Sequence, residues 1–209
     1  MKSSHNTLLL LALFFAPCAL LRASVQVTMA TAKPTQSVIA SYEALPGSAG
    51  NTTAFWRGTG PFRHIGQSFG IATKEESVRL SGVSWKIWNL DSSVEGKKFS
   101  IKLYRLTAPN KAPDPEKDLL HSEEGLLPDL LEEGYYLTFT FSSSVKLAPA
   151  GAYLVLFGFE EATSKDASAK VLGFERSEGR ANFDGRLWIY NGTAFVADNK
   201  AMTFFAHGQ

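Results

Sequence analysis

Apolar and polar residues alternate with a period of two over most of this chain, as in strands that keep one face in a core and the other in water. The pattern is regular at 67–71 and over 78–90. In the longer run Val78 and Leu80 share a face, Gly82 interrupts, and Val83, Trp85 and Ile87 resume one residue out of phase. A glycine at such a phase change predicts a β-bulge. Phe99, Ile101 and Leu103 alternate with Lys98, Ser100 and Lys102, and Leu137, Phe139 and Phe141 repeat the pattern. The stretch 153–159 is apolar on both faces, which predicts a central strand covered on both sides. With 171–174, 187–190, 195–197 and 202–207, about ten strands are expected, joined by turns.

Between them lie segments without this pattern. Pro109, Pro113 and Pro115 make 107–134 a long insertion, rigid at first, with short helical turns around Leu119, Leu120, Leu130 and Leu131. Residues 38–60, broken at Pro46-Gly47-Ser48 and Gly58-Thr59-Gly60, predict a short edge strand and then a long loop carrying Trp56. Asn191-Gly192 predicts a type I′ hairpin turn. No amphipathic helix of adequate length competes with the strands. The fold class is therefore all-β: a two-sheet antiparallel jelly-roll β-sandwich over 37–209, with strand 67–71 expected beside the last strand.

The first residues follow a different rule. A charged start, Met1-Lys2, runs into the apolar block 8–21 and ends at Arg22-Ala23-Ser24. At 14 residues the block is too short to span a bilayer and has the form of a secretory signal peptide, 1–23, cut after Ala23. Residues 24–36, small and polar, are expected to be a flexible leader. The mature protein is expected to be secreted, extracellular or periplasmic, without a transmembrane anchor. Cleavage moves the formal charge from +1 to −1, which argues against nucleic acid as a partner. The single cysteine, Cys18, lies inside the signal peptide, so the mature chain has no disulfide and no thiolate chemistry.

The order of motifs resembles a known module. Gly66-Gln67-Ser68-Phe69, Leu80-Ser81-Gly82-Val83, the run from Phe99 to Tyr104, Leu137-Thr138-Phe139, the run from Val145 to Tyr153 and Met202-Thr203-Phe204-Phe205 are similar to a jelly-roll module of secreted and surface proteins of Verrucomicrobia and Planctomycetes. The resemblance covers most of the mature chain and implies an extracellular sandwich of carbohydrate-binding type. It carries over no defined binding residue.

Flat aromatic rings beside polar groups are what a sugar needs, because its C–H face packs on the ring while its hydroxyls are hydrogen-bonded. Trp85 belongs inward with Val83 and Ile87, which leaves Trp88 as a platform if no further bulge intervenes. Trp188 and Tyr190 share a face next to Arg186 and Asn191. The run from Phe174 to Arg186 adds Arg176, Arg180 and Asp184 as polar partners. The expected ligand site is thus Trp88, Trp188, Tyr190, Arg176, Arg180 and Asp184. No cofactor is expected; Asp184 or Asp91 with loop carbonyls is the candidate for a structural calcium. His64, His121 and His207 show no metal-ligand spacing.

These residues support three readings. The first is a non-catalytic module that binds a glycan or cell-surface polysaccharide. The second is a structural or adhesive surface protein that assembles through sheet edges. The third is a small polysaccharide lyase using His64 or His207 with Tyr104 and Arg63.

Overall fold

The computed structural model describes residues 24–45, 47–57, 63–72, 77–108, 110–160, 170–178 and 185–209. Among them thirteen strands build two antiparallel sheets packed face to face, the two-sheet β-sandwich that the alternation predicts. The first sheet runs β1 (Gln26–Ala30), β8 (Tyr136–Leu147), β5 (Val78–Leu90), β10 (Lys170–Ser177) and β3 (Ala49–Arg57). Its seven strands are completed by β13 (Phe204–Gly208), paired to β5, and β2 (Val38–Tyr42), paired to β13. The second sheet has the order β12 (Phe195–Asp198), β11 (Leu187–Tyr190), β4 (His64–Gly70), β9 (Ala152–Phe159), β6 (Lys98–Leu106) and β7 (Leu119–Leu126).

Strand β5 organises the first sheet. β8 runs along one of its edges, while the other pairs with β13 over its first part and with β10 from Ile87 to Leu90. The register slips between Leu80 and Gly82, so the bulge read from the phase change is present. A side chain at Gly82 would strike the Phe139 carbonyl, which is why glycine stands there. Beyond the bulge Val83, Trp85 and Ile87 enter the core with no exposed area. Trp85 stacks on Phe174 at 5.4 Å and meets Phe139 edge-on at 5.5 Å, while Phe99 and Phe157 close the cluster from the second sheet. Such ring pairs contribute about 0.5–1.5 kcal/mol each beyond simple burial. β9 pairs on both sides and is buried on both faces, as expected of a central strand.

Several expectations are corrected. The strand at 67–71 does not lie beside the last strand: β4 pairs with β9 and β11, whereas β13 sits in the opposite sheet. β4 is tied instead to the segment that leads into β13, through the buried Gln67, whose Oε1 accepts from the Met202 N–H at 2.8 Å. Residues 26–30 are no loose leader but strand β1, paired with β8 because Val27 and Met29 pack on the core, while Val25 is buried beside β7. The loop expected after residue 42 contains the nine-residue β3, whose inward positions are Thr52, Ala54 and Trp56. In the insertion, 119–126 is a strand, β7, paired with β6 instead of helical turns. The hairpin between β11 and β12 closes with Asn191 N–H donating to the Ala194 carbonyl, so its central pair is Gly192-Thr193. Only Gly192, at φ +91°, takes a positive φ there, which fits a type II′ turn and not type I′.

Candidate functional site

Alternation along β5 turns Ser84 and Lys86 to the outer face of the first sheet while Trp85 and Ile87 turn inward. On β8 Tyr136 and Thr138 do the same between Leu137 and Phe139. The register sets Lys86 opposite Tyr136 and Ser84 opposite Thr138. Two hydrogen-bonded groups result. Ser84 Oγ lies 2.7 Å from Thr138 Oγ1 and 2.7 Å from His207 Nε2. Lys86 Nζ donates to Glu175 Oε1 at 2.7 Å, and Thr203 Oγ1 donates to Glu175 Oε2 at 2.6 Å while accepting from the Ala44 N–H. Glu175 is almost fully buried, and both of its oxygens are satisfied, as a buried carboxylate requires.

Tyr136 stands among charges. Its ring packs edge-on to Phe205 at 5.8 Å. Burial raises its hydroxyl above the ordinary phenol value, Lys86 and Lys33 oppose the rise, and Glu43 and Glu175 support it. The charges of a second ion pair, Lys33–Glu43 at 2.8 Å, act on the same hydroxyl. Burial lowers His207 below the usual imidazole range, opposed by a hydrogen bond to the Gln36 backbone.

Trp88 is next along β5. Opposite β10 the register passes from Asn89↔Gly173 to Ile87↔Phe174 and leaves Trp88 without a Cα partner. It is the extra residue of a second β-bulge, a device that re-aims a side chain. Its ring is 41% exposed. None of the other three tryptophans offers such a surface. Trp85 is core, Trp188 is 1% exposed, and Trp56 packs against the core with the Lys97 ammonium 4.5 Å from its ring centre.

The expected site is therefore divided. Trp188 and Tyr190 lie on β11 in the second sheet, away from Trp88. Trp188 packs with Tyr104, Leu106, Leu154 and Leu156 in a small apolar cluster of its own. The register places Gly66 between Trp188 and Leu156, and a Cβ there would come within 2.5 Å of the Val155 carbonyl. Phe195 on β12 lies 5.4 Å from Tyr104 on β6, although β11, β4 and β9 stand between those strands. The second sheet thus curls over its outer face, and Trp188 fills the hollow instead of presenting a platform. Burial raises the Tyr104 hydroxyl to about 12. Tyr190 is half-buried against Phe195 and His64, its hydroxyl donating to the Gly192 carbonyl.

Arg176 is tied down as well. Its Nε donates to the Asn51 carbonyl and its Nη1 pairs with Glu178 at 3.0 Å. Arg180 and Asp184 lie outside the described residues. Asp91 is engaged by the Ser93 N–H and hydroxyl through Oδ1 and by Lys170 through Oδ2, which leaves its carboxylate occupied. Of the residues considered for a lyase, His64 and Tyr104 belong to the second sheet and His207 to the first.

Broader concavities lie elsewhere among the described residues. One, of about 880 Å³, runs between β1 and β7 past Val25, Glu123 and Leu126; another, of about 900 Å³, lies at one end of the sandwich by Arg105, Asp118 and Pro149. Neither is lined by an aromatic ring, so neither offers a stacking surface for a sugar. Trp88 lies at the surface as the alternation predicts, while Lys86, Tyr136, Glu175 and Thr203 beside it were not singled out from the sequence. The outward positions of 78–90 could have indicated Lys86; the partners come from strands far away in sequence.

No protein-family model matches the chain, and no curated protein matches it. Solved structures are similar to it, among them the following two. One is the crystal structure of the cysteine protease and lectin-like domains of Cwp84, a surface layer associated protein of Clostridium difficile: 12% identity, 71% of this chain and 33% of that one, TM-score 0.47. The other is the clostridial cysteine protease Cwp84, as a variant after propeptide cleavage: 12% identity, 88% of this chain and 40% of that one, TM-score 0.50. The chain thus spans two-fifths or less of these structures, and at such identity the second likeness bears on the fold alone.

Proposed function

We propose that this chain is an extracellular, non-catalytic β-sandwich module that binds a glycan on the outer face of its first sheet. The observation that carries the reading is Trp88: among the described residues it is the one tryptophan a β-bulge turns to solvent, two residues along the strand from the Lys86–Glu175 pair and diagonal to Tyr136. An exposed indole supplies the stacking surface, and the ammonium and carboxylate beside it supply hydroxyl partners. The test is a glycan-array screen of the mature chain beside Trp88→Ala. Saturable binding to one polysaccharide class, weakened at least tenfold in the variant, is expected. Binding equal in both proteins, or none in either, refutes the site.

A second reading rests on a separate observation. β7 is the last strand of the second sheet; its far side takes a hydrogen bond from the Val25 N–H at the Glu124 carbonyl, and the strand exposes Leu119, Leu120 and Leu126, the last at 65%. Unprotected apolar edges are where chains pair with one another. Assembly through this edge would appear as concentration-dependent oligomers in light scattering, abolished by Leu126→Lys.

A further inference from the structure

Resting on the glycan reading, we infer that the patch around Trp88 and Tyr136 selects uncharged sugars and excludes polyuronates and sulfated chains. The basis is the pairing of charge. Lys86, opposite Tyr136 in the register, is matched by Glu175 at 2.7 Å, and Lys33 by Glu43 at 2.8 Å, so the two cations that act on the Tyr136 hydroxyl are each neutralised at contact distance. Within the patch around Tyr136, an anionic polymer meets a carboxylate beside Lys86 and another beside Lys33. Polyanion recognition instead needs unpaired basic groups that release counterions.

The hydrogen-bonding capacity left over suits sugar hydroxyls. The Lys86 ammonium has three donors, of which Glu175 takes one, and its side chain is 29% exposed. Glu43 is 47% exposed and keeps acceptor capacity beyond its bond to Lys33. Glu175 Oε1 and Oε2 are taken by Lys86 and Thr203, and Thr203 also accepts from Ala44, so the buried members fix the patch and the exposed atoms of Lys86, Glu43 and Tyr136 face the ligand. A hexose with neighbouring hydroxyls can donate to the carboxylate side and accept from the ammonium side while its C–H face covers Trp88.

The experiment is affinity electrophoresis of the full mature chain against neutral polymers (mannan, xylan, mixed-linkage glucan) and acidic ones (polygalacturonate, alginate), each at 20 and 300 mM salt. Three proteins are run: wild type, Trp88→Ala and Glu43→Gln. The expected result is retardation of wild type by a neutral polymer, unchanged within twofold between the two salts, lost in Trp88→Ala, and at least tenfold stronger than with either acid. In Glu43→Gln, whose replaced group lies at an exposed pair, Lys33 is freed and a salt-sensitive retardation by polygalacturonate should appear. Trp88-dependent binding that prefers polyuronates, or that weakens tenfold at high salt, overturns the charge argument alone. Retardation that persists in Trp88→Ala, or no retardation by any polymer, overturns the site and the inference together.

Discussion

Replacing Trp188 by alanine separates a core tryptophan from a surface one. The ring is 1% exposed and surrounded by Leu154, Leu156, Tyr104 and Leu106, all nearly or fully buried. An aromatic side chain of this kind buries roughly 150–250 Å², which at about 25 cal/mol per Å² corresponds to about 4–6 kcal/mol. Against this, Nε1 of Trp188 is buried with no hydrogen-bond partner among the described residues, and removing such a donor returns about 1–3 kcal/mol. The net loss expected for Trp188→Ala is about 3 kcal/mol. At roughly 2–4 °C per kcal/mol for a domain of this size, the midpoint should fall by about 6–12 °C. Trp188→Phe keeps most of the ring and discards the orphan N–H, so it should stay within about 1 kcal/mol of wild type. Trp88→Ala should cost under about 1 kcal/mol, because its ring is already exposed to water. Urea unfolding followed by far-UV circular dichroism reads all three. If Trp188→Ala costs less than Trp88→Ala, the curled second sheet with its own apolar cluster is wrong.

Other outcomes follow from the packing and the charges. Gly66→Ala should destabilise by about 1–3 kcal/mol, since two of the three atoms its Cβ would crowd are backbone and cannot swing aside, whereas Gly70→Ala meets nothing within 4 Å and should be near neutral in the same unfolding assay. Lys86→Met should cost about 1–3 kcal/mol by stranding the buried Glu175 carboxylate, an amount limited by the partial exposure of Lys86; Lys86→Met with Glu175→Gln should recover part of it in a double-mutant cycle. Burial holds His64 and His207 below their usual 6.5, with Lys102 adding to the effect at His64. Their folded values are depressed, so above about 6.5 neither state is protonated and no stability is lost. As pH falls below that, the unfolded chain takes up protons that the folded chain resists, and stability declines until the folded values are passed. Urea midpoints at pH 7.5, 6 and 5 should fall in that order; a flat profile contradicts the buried imidazoles.

The sequence made legible whatever was written in two-residue periodicity. The Gly82 bulge, the inward Trp85 and the doubly covered β9 could all be read because their neighbours in sequence carry the signal. β7 was hidden because its inward residues are His121, Glu123 and Gly125, so no apolar alternation exists to be read. The polar members are held instead by specific bonds, His121 and Ser142 both reaching the Glu123 carboxylate. β3 was hidden for a similar reason, having Thr52 and Ala54 at inward positions. Around β1 the alternation of Val25, Val27 and Met29 was present, but it fell inside the stretch 24–36 read as a flexible leader. Trp188 was misassigned because one apolar face per strand was assumed, and the curl that brings Phe195 to Tyr104 supplies β11 with a second one. Trp88 was placed at the surface by simple alternation, although a second bulge, marked by no glycine within β5 itself, determines its position.

The most direct test of the glycan site uses the four indole N–H resonances of the protein labelled with nitrogen-15. Trp85 and Trp188 are buried, Trp56 lies under Lys97, and Trp88 stands at the surface. Titration with a polysaccharide that binds should shift and broaden the Trp88 indole signal, with backbone amides at Lys86, Tyr136 and Glu175 moving alongside it and the Trp188 signal unchanged. Saturable binding that leaves the Trp88 indole in place while other resonances move would contradict the account.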